Sequence, residues 1–171
     1  MDFERLRKRK SMAEKRTRIV QAIRDFFVRR GFLEVETPLL VPFAGQEPHL
    51  APFRTVLLNE KGKSFLAHLI TSPEYACKKL LAAGYEKIFT IAKCFRNGEP
   101  WDALHHPEFT MIEWYRAHAD YREIMKESEA LFCSLAKSVR EQPRAESQFV
   151  KSKIRKNPDA QNPKTQQTII S

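Results

Sequence analysis

Residues with complementary chemistry lie close together between Phe95 and Tyr115, in the segment FRNGEPWDALHHPEFTMIEWY. The guanidinium of Arg96 can bind phosphate or carboxylate oxygens through a planar fork that stays charged. The ring of Phe109 can stack on a base, and the carboxylate of Glu113 can receive an amine. Together these groups suit the binding of a nucleotide and an amine. The leading hypothesis is therefore nucleotide-dependent activation of an amino acid.

The same segment has the pattern of a β-hairpin. Residues 87–96 are rich in β-branched and aromatic side chains, Gly98 and Pro100 interrupt them, and alternation resumes at Glu108. Period two places Phe109, Met111, Glu113 and Tyr115 on one face of the second strand, and Thr110, Ile112 and Trp114 on the other. A buried, unpaired carboxylate is costly, so we expect a cation to meet Glu113. The alternative is an ordinary hairpin with a solvated loop.

A helix is predicted in the upstream segment TSPEYACKKLLAAGYEKIF. We expect Ser72 to cap it, Pro73 to take its first position and Gly84 to end it. Glu74 then lies in the first turn, where the helix dipole favours a carboxylate. From local physics alone, a ligand-binding role and a helix-dipole role for Glu74 both stay open.

Two more helices are predicted, over residues 11–30 and 121–140. The first begins at a capping box, Ser11–Glu14, and Gly31 ends it before the strand segment Leu33–Leu40, in which Pro38 marks an edge. The apolar stripe of the first helix is Ile19, Ile23, Phe26 and Phe27. The second helix is capped by Asp120 and should turn Ile124, Leu131, Leu135 and Val139 inward.

The hairpin residues resemble motif 2 of the class II aminoacyl-tRNA synthetases, and within them the lysyl branch, whose pattern is FRNE, a short loop, HNPEFTM and E-x-Y. The resemblance implies an α+β fold in which an antiparallel sheet is flanked by helices. It implies that Arg96 bridges the substrate carboxylate and the ATP α-phosphate, and that Phe109 stacks on adenine. It also places Asn97, Glu99, His105 and His106 at the nucleotide.

The amino-acid site follows from the same resemblance. Ser72, Pro73 and Glu74 match an SPE segment that meets the substrate α-amino group, whereas Glu113 and Tyr115 would receive the lysine amines. The hairpin loop departs from the family pattern. Gly98 stands where many relatives have an adenine-reading Glu, so that Glu99 follows one step later, and His106 replaces the usual Asn.

The first helix, the strand and Pro38 resemble class II motif 1, which builds a dimer interface in that family, so a homodimer is expected. Packing within one chain is the alternative. About ten residues precede the predicted first helix, which leaves no room for an anticodon-binding domain and makes tRNA an unexpected acceptor. His49–Phe53 and EWYRAHADY resemble the short lysyl paralogues that attach lysine or β-lysine to a lysine of elongation factor P. A lysyl-tRNA synthetase catalytic fragment is the alternative.

The resemblance covers residues 8–140 and two of the three class motifs, so residues 1–141 are expected to form a partial catalytic domain. The family's Mg²⁺ ligands and its motif 3 arginine for the ATP γ-phosphate would belong to a C-terminal half that these 171 residues lack. The sheet should then be incomplete, with an open edge that favours aggregation or dimerisation. An incomplete or inactive ligase and a non-catalytic binding module both fit. Residues 142–171 have too few apolar side chains for burial to offset the entropy lost on ordering, so they are predicted to be a disordered tail.

Composition agrees with one cytoplasmic domain. Of the 171 residues 42% are hydrophobic, which suffices for a core, and the net charge is +9. Residues 1–30 carry eleven Lys or Arg and four acidic residues, a balance that suits an acidic protein partner or RNA. Three isolated cysteines without a C-x-x-C pair support neither disulfides nor zinc. No apolar run approaches the roughly 20 residues of a membrane span.

Overall fold

The computed structural model describes residues 3–100, 102 and 104–140, so the tail predicted at 142–171 lies outside the described residues. The elements in chain order are α1 (Phe3–Val28), β1 (Leu33–Glu34), β2 (Leu40–Val41), β3 (Arg54–Leu58), β4 (Ser64–Leu69), α2 (Glu74–Ala82), β5 (Lys87–Phe95), β6 (Glu108–Arg116) and α3 (Tyr121–Arg140). No helix in this part of the chain is both long and apolar enough to cross a membrane.

The strands form two three-stranded sheets, in the orders β1-β5-β6 and β2-β4-β3. The predicted hairpin is present as β5 and β6, paired antiparallel from Lys87↔Arg116 to Phe95↔Glu108. The fold is α+β. The sheet that was predicted to be antiparallel is mixed, because β1 pairs parallel to β5 whereas β6 pairs antiparallel to it. A parallel pair needs a long crossover, which the second sheet and α2 provide between β1 and β5.

The prediction that the first helix starts at Ser11 is also wrong. Helix α1 begins at Phe3, and Ser11 lies in its interior. Residues 3–10 contain neither Gly nor Pro and consist mainly of Arg, Lys, Glu and Leu, so nothing stops the helix from extending through them. The predicted end is confirmed. Gly31 has φ 77°, and the amides of Gly31 and Phe32 donate to the carbonyls of Val28 and Phe27 in a Schellman motif.

Aromatic side chains make the main core, where α1, β5 and α3 meet. Phe26, Phe27, Phe32, Phe89 and Leu131 are buried together there. The ring of Phe27 lies 5.0 Å from Phe89 and 5.3 Å from Trp114 between centroids. Ile124 is half-buried, and Leu135 packs against the cluster as predicted. Val139 was predicted to point inward but is 45% exposed, because the last turns of α3 extend past the cluster.

The start of α3 confirms its predicted cap. Asp120 Oδ1 accepts hydrogen bonds from the amides of Arg122 and Glu123, and Glu123 Oε2 accepts one from the amide of Asp120. This reciprocal arrangement is a capping box, which satisfies amides that lack partners within the helix. It fixes where α3 begins directly after β6.

The β5–β6 hairpin separates the aromatic core from a second cluster. Ile112 and Trp114 pack on the aromatic side, whereas Phe109 and Met111 pack with Ile70, Ala92 and Cys94 on the other. The alternation predicted for β6 is therefore confirmed. Among the described strands β6 has no neighbour on its outer side, so this edge of the sheet is open.

Candidate active site

Arg96 follows the last residue of β5, at the mouth of the hairpin loop. Its amide donates to the Pro107 carbonyl at 2.9 Å, which fixes the backbone where β6 begins. Its guanidinium carbon lies 5.1 Å from the centroid of the Phe109 ring. Its Nε is buried and has no hydrogen-bond partner among the described residues. A buried donor without a partner costs free energy, so an anion that accepted from Arg96 would be stabilised here.

An open cavity of about 260 Å³ adjoins this guanidinium. It is lined by Arg96, Glu99, Leu104, His105, His106 and Phe109. Five of these six residues were assigned to the nucleotide from the sequence, so the loop does bring them together. Asn97 was also assigned there, but it does not line the cavity. Its amide donates to the Ala51 carbonyl, and its Oδ1 accepts from the amide of Gly98.

A second cluster surrounds the carboxylate of Glu113 on the same face of the hairpin. The Ser72 hydroxyl donates to Oε1 and the Tyr115 hydroxyl donates to Oε2, both at 2.6 Å. The pKa of Tyr115 is raised by burial and by its hydrogen bond to Glu113, so the phenol stays a neutral donor. Ser72 thus contacts the carboxylate that was expected to bind the amine, and holds it in place.

The buried thiol of Cys77 lies near this carboxylate. Burial and the charge of Glu113 raise the pKa of Cys77 to about 11, so the thiol stays protonated. The thiol of Cys94 has its pKa raised to about 11 by burial and by Glu113, while Arg96 acts in the opposite direction. Cys94 therefore lies within the field of both Glu113 and Arg96. The negative charge that disfavours a thiolate here would favour an ammonium.

The SPE residues lie at the start of helix α2, and only Glu74 belongs to the helix itself. The helix begins at Glu74, one residue later than predicted, and the Ser72 hydroxyl accepts a hydrogen bond from the Glu74 amide at 3.0 Å. Pro73 is fully buried, so its contribution is packing. At the other end, Gly84 has φ 96° and the Tyr85 amide donates to the Leu80 carbonyl, which ends the helix as predicted.

The Glu74 carboxylate forms an ion pair with Lys78, one helical turn further on. The Lys78 ammonium donates a hydrogen bond to Glu74 in this pair, and this hydrogen bond together with the charge of Glu74 raises the pKa of Lys78. Glu74 was expected to meet the substrate α-amino group, and an ammonium of the protein itself now occupies that carboxylate. The negative charges of Glu74 and Glu113 both contribute to the raised pKa of Tyr115, so the two carboxylates act on the same phenol.

Sequence reasoning missed Lys78, Cys77 and Asp102. A signal for Lys78 was available, because Glu and Lys four residues apart on a helix commonly pair. Asp102, three residues before His105, offered a weaker signal of the same kind. Cys77 reaches the site only because α2 lies against β6, which no local pattern indicates.

Within the described ranges there is no group of three or more His, Cys, Asp or Glu that could hold a metal ion. The carboxylates of Glu113 and Glu74 are engaged by hydroxyl and ammonium donors.

The β5–β6 hairpin thus carries the Arg96 guanidinium and the Glu113 carboxylate on the same face. The family model for class II tRNA synthetases (D, K and N) matches residues 1–167. The chain belongs to this family.

Within the family, the chain is similar to elongation factor P–(R)-β-lysine ligases. It is 48% identical over 118 residues to the ligase of Haemophilus ducreyi, 47% over 117 residues to that of Mannheimia succiniciproducens and 43% over 118 residues to that of Hamiltonella defensa. Each match covers 68% of this chain and 36% of the relative. The chain thus matches little more than a third of the length of these curated relatives.

Proposed function

We propose that this chain carries the nucleotide and amino-acid contacts of a ligase that activates lysine or β-lysine with ATP and transfers it to a lysine of elongation factor P. The observation that carries the proposal is the buried Nε of Arg96, which has no hydrogen-bond partner among the described residues, in a guanidinium that lines a cavity with Phe109 and shares a face of the hairpin with the Glu113 carboxylate. The similarity to elongation factor P ligases supports the choice of substrate and acceptor.

Activation requires a carboxylate oxygen of the amino acid to attack the α-phosphorus of ATP while the bond to pyrophosphate breaks. Arg96 would bind the attacking carboxylate and an α-phosphate oxygen at once, which aligns them and offsets their charge. Phe109 beneath the guanidinium would stack on adenine, with Glu99 and His106 also in the cavity. Mg²⁺ commonly neutralises phosphates in such reactions.

The amine end of the substrate would lie at Glu113. Its two oxygens already accept one hydroxyl each, but a carboxylate has about four lone-pair positions, so it can still receive an ammonium. Because Ser72 and Tyr115 hold the carboxylate from both sides, it needs little reordering when the ligand binds. Lys78 would have to share or release Glu74 if that carboxylate is to bind the α-amino group.

In the second step the ε-amine of the acceptor lysine would attack the activated carbonyl, and AMP would leave. An acidic protein acceptor suits the net charge of +9 and the exposed basic side chains of the first turns of α1, because opposite charge steers association. The reaction belongs in the cytoplasm, where thiols stay reduced, and the three cysteines are free. A non-catalytic binding module is the alternative, since it would bind the same ligands without turnover.

We also propose a homodimer that pairs through the motif 1 segment. Leu39 and Leu40 at the end of this segment are exposed, as is Phe43 three residues beyond it, and grouped exposed apolar side chains favour pairing. Sedimentation of the wild-type chain and of Phe43→Ser should show a dimer that the substitution weakens. A monomer at micromolar concentration would contradict pairing through this segment.

The amine contact is tested by Glu113→Gln, which keeps the shape of the side chain and removes its charge. We expect the wild-type chain to bind a non-hydrolysable lysyl-adenylate analogue about 10- to 100-fold more tightly than a norleucyl analogue, which lacks only the ε-amino group, because a charge-assisted hydrogen bond contributes about 1.5–3 kcal/mol. Calorimetry should show that Glu113→Gln loses this preference. Glu129→Gln, an exposed carboxylate on α3, is the matched control. A preference unchanged in Glu113→Gln would refute the assignment.

A further inference from the structure

We propose that a basic stretch of α1 binds the phosphate backbone of a nucleic acid, at a site separate from the cavity beside Arg96. This basic arm comprises residues 3–18 and carries eight Lys or Arg and two Glu, a net charge of +6. A nucleic-acid backbone is a regular row of negative charges, so a dense row of Lys and Arg along a helix suits it. The inference concerns a second ligand and does not depend on the activation chemistry proposed above.

The basic arm has no buried face. Its side chains are exposed except for Glu14, which is half-buried, and the apolar residues that pack α1 against the rest of the protein begin only at Ile19. Hydrophobic burial therefore does not hold the arm in place. A helix without a buried face commonly depends on ion pairs along its own surface. Those pairs decide how much of the charge is left for a ligand.

Much of the positive charge of the arm is available to a ligand. Two of its ion pairs run along the helix, Glu4–Lys8 at 3.1 Å and Lys10–Glu14 at 3.6 Å. Both lysines are exposed, and because exposed pairs contribute little, a phosphate can replace the carboxylate at low cost. Arg7 and Arg9 form no ion pair or hydrogen bond with another residue in the described part of the chain. Their guanidinium groups are open to phosphate oxygens, which they suit well.

The positive charges surround the helix instead of forming one stripe. Five of the six residues 5–10 are Lys or Arg, and successive residues of an α-helix turn by about 100° around its axis. The surface of an acidic protein meets one side of a helix and would leave most of these cations unmatched. A flexible single strand can fold around the helix and bring phosphates to several sides. The distribution of charge therefore favours a nucleic acid over an acidic protein.

The basic arm passes behind the β5–β6 hairpin. A guanidinium of the arm donates to the Thr110 hydroxyl at 2.7 Å. Thr110 shares a face of β6 with Ile112, and alternation along the strand puts Phe109 and Glu113 on the opposite face. The arm is thus on the side of the hairpin away from the nucleotide and amine contacts. A nucleic acid on the arm and an adenylate beside Arg96 can be bound at the same time.

The experiment measures the affinity of the whole chain for labelled single strands of RNA and of DNA with the same mixed sequence, by fluorescence anisotropy. Each phosphate contact adds about 0.7 to the slope of log K against log salt, which is about five-fold in affinity at about 0.1 M salt. Arg7→Gln/Arg9→Gln, which keeps good helix formers, should therefore bind about 25-fold more weakly, with a slope lower by about 1.4. The tighter of the two strands identifies the source of the ligand.

The matched control is Lys126→Gln/Lys137→Gln, which removes the same charge from exposed positions of α3. It should bind nearly as tightly as the wild type. An equal loss in this control would overturn the proposal, because net charge alone would then explain binding. Nucleic-acid affinity that is absent from the wild type, or that survives in Arg7→Gln/Arg9→Gln, would also overturn it.

Two further measurements separate the basic arm from the proposed active site. If Arg7→Gln/Arg9→Gln keeps its affinity for nucleic acid and loses affinity for elongation factor P, the arm serves the acidic acceptor, and the nucleic-acid site is wrong. A lysyl-adenylate analogue should bind Arg7→Gln/Arg9→Gln as it binds the wild type, and it should not displace the strand. Displacement would place the strand in the cavity beside Arg96 and overturn the separate site, without bearing on the proposed activation chemistry.

Discussion

A chain of these 171 residues, purified alone, is expected to show no lysine-dependent exchange of radiolabelled pyrophosphate into ATP. Adenylate formation depends on positioning and on neutralising phosphate charge, and the described residues offer Arg96 but no cluster of three or more His, Cys, Asp or Glu side chains that could hold a metal ion. The γ-phosphate arginine and the magnesium ligands implied by the family resemblance would lie in the part of the relatives that the chain does not match. Each missing charge contact commonly costs about 10²- to 10³-fold, so two kinds of contact together cost about 10⁴-fold or more.

Fusion of residues 1–140 to the distal part of one of the elongation factor P ligases should restore exchange. The matched control is the same fusion carrying Arg96→Ala, which should stay inactive. Transfer by the active fusion should favour elongation factor P over tRNA, as the similarity to these ligases suggests. Exchange by the unfused chain at rates typical of enzymes would contradict the prediction and show that these residues, or a second copy, supply the missing contacts.

The features that were predicted correctly from the sequence are those set by local rules. Strand alternation is a period-two property, so the shared face of Glu113 and Tyr115 on β6 could be read directly from spacing. Helix ends at Gly31 and Gly84 follow from their positive φ, and the Asp120 cap follows from its side-chain oxygen. Each of these needs only a few consecutive residues.

The features that were missed depend on competition or on distant contacts. A capping box at Ser11 is compatible with the sequence, but the preceding residues are good helix formers and α1 extends through them. The β3–β4 hairpin was overlooked although Gly62, with φ 75°, follows the segment Arg54–Leu58, which contains Thr55, Val56 and two leucines. The hydrogen bond from Ser72 to Glu113 joins residues 41 positions apart. It exists because α2 lies against β6, which no local pattern specifies.

These distant contacts change what the two carboxylates of the site can do. The family resemblance assigned both Glu74 and Glu113 to substrate amines, although local physics also allowed a helix-dipole role for Glu74. In the structure Glu113 is held by two neutral hydroxyl donors, whereas Glu74 is held by the ammonium of Lys78. A neutral donor leaves the negative charge of a carboxylate uncompensated, and an ammonium does not. Glu113 should therefore attract a cationic ligand more strongly than Glu74 does. Glu74 can bind such a ligand only if Lys78 shares or releases it.

Arg96→Ala is expected to abolish measurable binding of ATP and of a lysyl-adenylate analogue. Removing the cation leaves the phosphate and carboxylate of the ligand without a partner, and truncating one side of such a buried charged pair costs about 2–5 kcal/mol, or about 30-fold to several thousand-fold in affinity. Stability should change little, because Nε makes no hydrogen bond and the main loss is the contact with Phe109, which contributes about 0.5–1 kcal/mol.

Because Arg96→Ala should lower ligand affinity while leaving the stability of the fold nearly unchanged, a loss of binding can be attributed to the missing guanidinium. Lys93→Ala is the matched control, since it also removes a cation from the end of the hairpin, but from an exposed pair with Glu108 on the other face of β5. It should leave the analogue affinity unchanged. Arg96→Lys should recover only part of the affinity, because an ammonium keeps the charge and loses the fork that binds two oxygens. Calorimetry that found wild-type affinity in Arg96→Ala would remove the guanidinium from the site, and with it the basis for the proposed activation chemistry.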